Sequence, residues 1–254
     1  MDCNNRQKRA DNAPVKRIVI IGATSGIGRE AALLFARRGW RVGVAGRRES
    51  LLRQLKDTLP DAFETQTLDV TAPDAPEQLN LLIRKLGGMD VFLLCSGIGK
   101  QNPSLQPACE LDTAATNVGG FIRMTTAAFH YFKAQGGGHL AVVSSIAGTK
   151  GLGAAPAYSA TKRFQNTYID ALAQLAHMQH LHIRFTDIRP GFVATDLLKD
   201  RHYPMIMPVA PVALRLVRAI ERKKRVATID YRYLLLVFFW RLIPRWLWER
   251  LPIH

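Results

Sequence analysis

Carboxylates are scarce in this chain. Its 254 residues hold 20 Asp and Glu against 35 Lys and Arg, a formal charge of +15. Such an excess raises nucleic acid as a partner, but its distribution argues against one. Residues 1–17 carry five basic and two acidic groups and residues 221–250 carry eight and three, so the two ends supply +8 of the total. No zinc-finger spacing, single-strand-binding aromatic pattern or basic zipper accompanies them. Cysteine is nearly absent: Cys3, Cys95 and Cys109 have no metal-ligand spacing and make no obvious disulfide framework, which fits a reducing, cytoplasmic setting and no metal. Long apolar runs are missing too. The stretch near the end, 234–240, is far below the roughly 18 residues that a transmembrane helix needs. Residues 1–14 lack the apolar core of a secretory signal and read as a loose basic tail. No repeat, linker or low-complexity tract divides the chain.

What is present is a 48% hydrophobic composition, enough for one domain with a sizeable core. Short apolar runs at 17–22, 41–45, 63–68, 91–94, 140–143 and 183–188 read as buried strands. Helical periodicity appears at 25–38, 49–58, 76–86, 111–134 and 158–176. Apolar strands alternating with helices predict an α/β fold: a Rossmann-type, doubly wound parallel sheet with helices on both faces, in a single domain. The expected division is the tail 1–14, a catalytic domain 15–230 and an apolar, basic extension 231–254.

Gly22, Gly26 and Gly28, with Thr24, Ser25 and Ile27 between them, follow the first strand and open the first helix. Glycines there permit a tight turn, a close backbone approach to a pyrophosphate and close helix–strand packing, while free N–H groups at the helix start face the phosphates. The second strand ends in Val44, Ala45 and Gly46 without the acid that commonly binds the ribose hydroxyls of NAD. Arg47 and Arg48 follow, suited to a 2′-phosphate, so NADP(H) is the expected cofactor. Asp69, next to Val70, either faces the adenine amino group or caps the turn after its strand. Tyr158 and Lys162 lie four apart on one helix face, where an ammonium favours ionisation of the phenol. A hydrolase built on Ser144 or Ser145 with His130 or His139 is disfavoured, because the Gly-x-Ser-x-Gly frame is missing.

These segments, together with Asn117 in Asn-Val-Gly-Gly, Ser144-Ser145-Ile-Ala-Gly, Tyr158-Ser-Ala-Thr-Lys162 and the run from Arg189 through Pro190 and Gly191 to Thr195, resemble the classical short-chain dehydrogenase/reductase family over about 16–196. The resemblance implies that Tyr158 is the acid in reduction and base in oxidation. Lys162 would also hold the nicotinamide ribose, Ser145 would stabilise the alkoxide, and Asn117 would support a water leading protons to the lysine. Val193 and Thr195, after the Pro190–Gly191 turn, would contact the nicotinamide carboxamide. The chain departs from the family where Cys95-Ser96-Gly97 replaces Asn-Asn-Ala-Gly. Ser96 and Gly97 retain some hydrogen bonding and the backbone approach to cofactor. Ile21 also stands where the family often has Thr.

The resemblance also implies a homodimer or homotetramer. The substrate side is expected at 98–102, 146–153, Phe192 and a mobile apolar lid, 197–207, containing His202, Tyr203, Met205, Ile206 and Met207. The expected activity is therefore an NADP(H)-dependent oxidoreductase acting on a ketone or secondary alcohol, with a small or lipid-like substrate. The alternative is a non-catalytic NADP(H) sensor or scaffold. The extension 231–254, with Pro244 starting or kinking a helix, is expected to pack between subunits, to line the substrate entrance or to make peripheral membrane contact.

Overall fold

The computed structural model describes residues 15–198, 203 and 205–252; the tail 1–14, Cys3 and His202 lie outside the described residues. Its strands are β1 (Arg17–Ile21), β2 (Arg41–Gly46), β3 (Phe63–Thr67), β4 (Val91–Leu94), β5 (Gly138–Val143), β6 (Ile183–Arg189) and β7 (Val226–Thr228). They form one sheet in the order β3-β2-β1-β4-β5-β6-β7, with every pairing parallel. Helices cross between them: α1 (Gly26–Arg37), α2 (Glu49–Thr58), α3 (Ala75–Leu86), α4 (Pro107–Ala114), α5 (Phe121–Gln135), α6 (Pro156–Met178) and α7 (Val209–Glu221). Two more, α8 (Tyr231–Leu242) and α9 (Arg245–Trp248), follow β7.

Alternation along each strand decides which face a side chain joins. Ile18 and Ile20 share a buried cluster with Phe35 of α1 and Leu216 of α7. Their neighbours Val19 and Ile21 enter a second cluster with Leu79 of α3 and Phe132 of α5. A sheet buried on both faces therefore reads as continuous apolar runs. The α8 helix enters the first cluster through Tyr233 and Val237.

The strand order reverses between β1 and β4, and in open α/β sheets the crevice beyond such a reversal is the ligand site. Gly22, after β1, and Ser96, after β4, meet there. A Cβ built on Gly22 would lie 2.7 Å from Ser96 N, and its φ of +87° also favours glycine.

The expected continuous helix at 111–134 is corrected. A π turn, Ala115–Gly120, separates α4 from α5. Gly120 lies against Val70, whose Cγ2 would be 2.7 Å from an added Cβ, so the chain passes this point only without a side chain. The wider turn places Asn117 toward the crevice, a common use of π segments. At the end of the chain, Pro244 separates α8 from α9 at the expected break.

Candidate active site

The phosphate end of the crevice is a bare helix start. Ser25 is the N-cap of α1, yet its side chain caps no backbone N–H, and the first turn carries no acid. Instead the Arg48 Nη2 donates to Thr24 Oγ1 and Ser25 Oγ, both at 2.8 Å. Gly28 permits the turn to close: a Cβ there would lie 2.2 Å from Gly22 O. Free N–H groups, a positive helix end and arginines beside it suit a dinucleotide's phosphates. Thr195 comes from the distant loop after β6 to the same place, its Cγ2 3.1 Å from a Cβ built on Gly26. Val193 is anchored by a bridge to Met207. Arg47 and Arg48 remain exposed, and the end of β2 offers only buried Val44, Ala45 and Gly46.

Asp69 adopts the turn-capping role left open by its residue type. Its Oδ1 accepts from Thr71 N at 2.9 Å and from Thr71 Oγ1 at 2.8 Å. Burial opposes ionisation, but the Thr71 bonds and the nearby Arg47 outweigh it and hold the carboxyl below its ordinary range.

At the other end of the crevice, β5 ends and the two serines diverge. Ser144 Oγ donates to Asp187 on β6 and accepts from Asn166 Nδ2 at 2.8 Å, and Asn166 also donates to Asp187 Oδ2 at 2.9 Å. Arg189 completes the group with an ion pair to Asp187 at 2.7 Å. Ser145 points into the crevice. Its Oγ accepts from Ala147 N at 3.1 Å and donates to Pro190 O at 3.4 Å. His139 sits at the opposite end of β5, with Nε2 2.8 Å from Thr186 Oγ1; burial holds its pKa at about 4. It is thus remote from either serine.

Tyr158 and Lys162 face the crevice from one side of α6, with the ammonium 5.8 Å from the phenol ring centroid. Gly99 leaves room for the ring, which a Cβ at that position would meet at 2.4 Å. Burial raises the Tyr158 pKa, opposed by the nearby Ser145 hydroxyl. The expected acidification of the phenol is thus not found: burial moves it the other way. Burial pulls Lys162 down to about 8, against the charge of Asp187. Burial also pushes the Cys95 thiol up to about 12, opposed by Lys162.

Sequence reasoning missed the residue that ties this end together. Gln165, one turn after Lys162, accepts from Lys162 Nζ through Oε1 at 3.0 Å and donates through Nε2 to Asn117 O at 2.9 Å. An ammonium only donates and a carbonyl only accepts, so the amide has one consistent orientation. Asn117, which the resemblance has supporting a water, thus has a protein donor on its backbone carbonyl. Lys162 also donates to Val143 O at 3.1 Å. Asn117 itself clamps the loop after β4, accepting from Ile98 N at 2.9 Å and donating to Ile98 O at 2.7 Å. Gly97 lies between: its added Cβ would be 3.3 Å from Asn117 Oδ1 and 3.4 Å from Lys162 Nζ.

Asn102, expected beside substrate, is instead buried in a brace for α6. It donates to Glu110 Oε1 at 2.7 Å, and Glu110 Oε2 accepts from Ala157 N at 2.9 Å, capping the first turn. Of the expected lid, Tyr203 stacks on Phe192 with centroids 4.4 Å apart, and Met205 O accepts from Tyr233 OH at 2.9 Å. A concavity is lined by Gly148, Lys150, Leu152, Pro156, Ser159 and Arg163, and so includes part of the segment 146–153 expected beside substrate.

Comparison with known proteins agrees with this geometry. The family model for short chain dehydrogenase matches residues 16–204. A protein of Myxococcus xanthus (strain DK1622), described as an uncharacterized oxidoreductase, is 37% identical over 196 residues, covering 74% of this chain and 76% of its own. Dehydrogenase/reductase SDR family member 7B of Danio rerio is 26% identical, over 76% of this chain and 65% of its own. The fold matches ElxO with NADP bound at a TM-score of 0.77, with 21% identity over 87% of this chain and 99% of that one. It matches the 3-ketoacyl-(acyl-carrier-protein) reductase from Brucella melitensis complexed with NADH at 0.76, with 22% identity over 85% and 96%. By the extent of the family match and the identity to the Myxococcus protein, the chain belongs to the short-chain dehydrogenase family of oxidoreductases.

Proposed function

We propose that the protein is an NADP(H)-dependent oxidoreductase that interconverts a ketone and a secondary alcohol on a hydrophobic, lipid-like substrate. The observation that carries this reading is that Tyr158 and the buried Lys162 share one side of α6, the ammonium 5.8 Å from the phenol ring centroid, with the buried Ser145 at the end of β5. A nicotinamide dinucleotide, when bound, supplies the hydride in reduction and accepts it in oxidation. The chain's own groups handle the proton and the developing charge. The Tyr158 phenol donates its proton to the substrate oxygen, and Ser145 donates a hydrogen bond to the same atom. The Lys162 ammonium stabilises the phenolate left behind. In oxidation the same phenolate takes the proton back.

Gly22, Thr24, Ser25, Gly26, Ile27 and Gly28 are the groups for the pyrophosphate, and Arg47 and Arg48 for a 2′-phosphate. Asp69 and Val70 border the adenine, Ser96 and Gly97 the middle of the cofactor, and Tyr158 and Lys162 the nicotinamide ribose. Pro190, Gly191, Val193 and Thr195 belong with the carboxamide. The missing acid after β2 supports NADP(H) over NAD(H). Phe192, Tyr203 and Met205 on the substrate side support an apolar substrate. A homodimer or homotetramer is part of the proposal, checked by light scattering.

The test is NADPH oxidation against ketones graded from compact cyclic compounds to long-chain keto-lipids. Activity rising with chain length is expected; activity confined to compact ketones overturns the lipid-like substrate. No turnover of any ketone, with NADPH bound tightly, would instead favour a cofactor sensor.

A further inference from the structure

The last two helices present an apolar surface that nothing among the described residues covers. The α8 helix is apolar on both sides. Its inner side buries Tyr233 and Val237, with Leu236 and Trp240 packed beside them. At about 100° per residue, Leu235, Phe238, Phe239 and Leu242 point the other way. They are 52%, 59%, 62% and 65% exposed, and Trp246 of α9 is 60% exposed. Soluble monomers rarely leave a contiguous patch of this kind without a partner. Arg232 and Arg241 fall roughly 80–100° to either side of the centre of the outward face, so cations border it on both flanks.

This surface is rigidly mounted. Lys150 Nζ donates to Ile243 O at 2.9 Å and lies 5.1 Å from the centroid of the Trp248 ring. Trp248 Nε1 donates to Gly151 O at 2.7 Å, and Tyr233 OH accepts from Phe192 N at 3.1 Å. The face is thus held against the loop that joins Ser145 to Tyr158. Its unpaired charge has one sign. Arg232 is tied to Asp230 at 3.1 Å and Arg245 to Glu249 at 2.8 Å, while Arg241 and Arg250 have no carboxylate partner among the described residues. Lys150 adds a third cation. A second copy set on this face would oppose cations to cations. A bilayer carrying anionic headgroups supplies both the apolar depth and the complementary charge. No helix among the described residues is long and apolar enough to cross a membrane. The twelve residues of α8 span about 18 Å against a hydrocarbon core of about 30 Å.

We propose that α8 and α9 dock the protein on the surface of an anionic bilayer. Leu235, Phe238, Phe239, Leu242 and Trp246 enter the boundary between headgroups and acyl chains, while Arg241, Arg250 and Lys150 meet lipid phosphates. The docking does not depend on the catalytic reading, and its test needs no substrate. The full chain is sedimented with vesicles of phosphatidylcholine alone, and of phosphatidylcholine mixed with phosphatidylglycerol. Binding to the mixed vesicles, weakened by salt, is expected. The pair Phe238→Ser/Phe239→Ser should weaken it at least roughly tenfold without lowering the melting temperature, because both rings are exposed. The pair Arg241→Gln/Arg250→Gln should remove the preference for the anionic mixture. Absence of binding at low salt, equal binding to both lipid compositions, or full binding by the phenylalanine variant overturns the proposal. So does an oligomer that the phenylalanine variant dissociates when the parent chain ignores vesicles, because the face is then an interface between copies.

Discussion

The two ends of the crevice are built on opposite principles. At the phosphate end Arg47 and Arg48 are exposed and Thr24 and Ser25 half-buried, and Arg48 bonds to Thr24 and Ser25. At the proton-handling end Asn117, Ser145 and Lys162 are buried and bonded to backbone from separate elements. An exposed arginine can be replaced with little cost to the fold. A buried donor or acceptor that loses its partner costs about 1–3 kcal/mol. Substitutions at the first end should therefore change selectivity alone, and those at the second should couple rate to stability unless they spare the bonding network.

Tyr158→Phe is the cleanest attempt to break that rule, because it removes the proton donor and keeps the ring against Gly99. We expect kcat for ketone reduction to fall by about 100- to 10,000-fold with the melting temperature nearly unchanged. Full activity in that variant would sink the mechanism. The adjacent serines sharpen the same contrast within one dipeptide. Ser145→Ala should lower kcat by about 100- to 1000-fold. Ser144→Ala should instead destabilise the protein by about 1–3 kcal/mol in a denaturant titration, since Asp187 and Asn166 each lose a partner, while kcat stays near the parent value. Exchanged outcomes would mean that the roles of the serines are reversed.

At the exposed end, Arg48→Ala should reduce the NADPH preference by about ten- to a hundredfold, the worth of a charge-assisted phosphate contact, with no loss of stability. Arg47→Ala tests the neighbouring assignment by the same ratio of NADPH to NADH affinity. An unchanged ratio removes Arg47 from the site.

Legibility from sequence follows the same division. The strands were readable because both faces of the sheet are buried, so each appears as an unbroken apolar run such as Ile18 to Ile21. The glycine turn and the Tyr158–Lys162 pair were readable because their spacing is local. The π turn was not, since one extra residue in a turn hardly disturbs helical periodicity, and only the pair Gly119–Gly120 hinted at it. Neither the last crossover helix α7 nor the short strand β7 is among the elements expected from sequence, although α7 has a clear apolar side in Val212, Leu216 and Ile220. Asp69 was undecidable by residue type, because an acid after a strand caps a turn as readily as it meets a ligand. Gln165 escaped notice because its partners lie on other elements: a glutamine within a helix ordinarily reads as solvated, and this one is 1% exposed.

Gln165 also offers the subtlest test of the comparison, since it touches the proton-handling end only through Lys162 and the backbone carbonyl of Asn117. Its Oε1 accepts from the ammonium and so favours the charged lysine. Asp187 and Cys95 face the same group, and burial sets its pKa near 8. Reduction needs the ammonium charged and the phenol protonated, so activity is present at lower pH and falls as pH rises through about 8. Gln165→Leu removes an acceptor for the charged form, which lowers the lysine pKa and moves that alkaline limb to lower pH. It also leaves Asn117 O short of its donor, at a cost of about 1–3 kcal/mol in stability. A purely structural glutamine would show the stability loss with an unmoved pH profile. Glutamate at this position should move the limb the other way, because a carboxylate beside Lys162 holds it charged to higher pH. Opposite displacements in the two variants, measured as kcat against pH with NADPH saturating, would assign Gln165 to positioning the lysine.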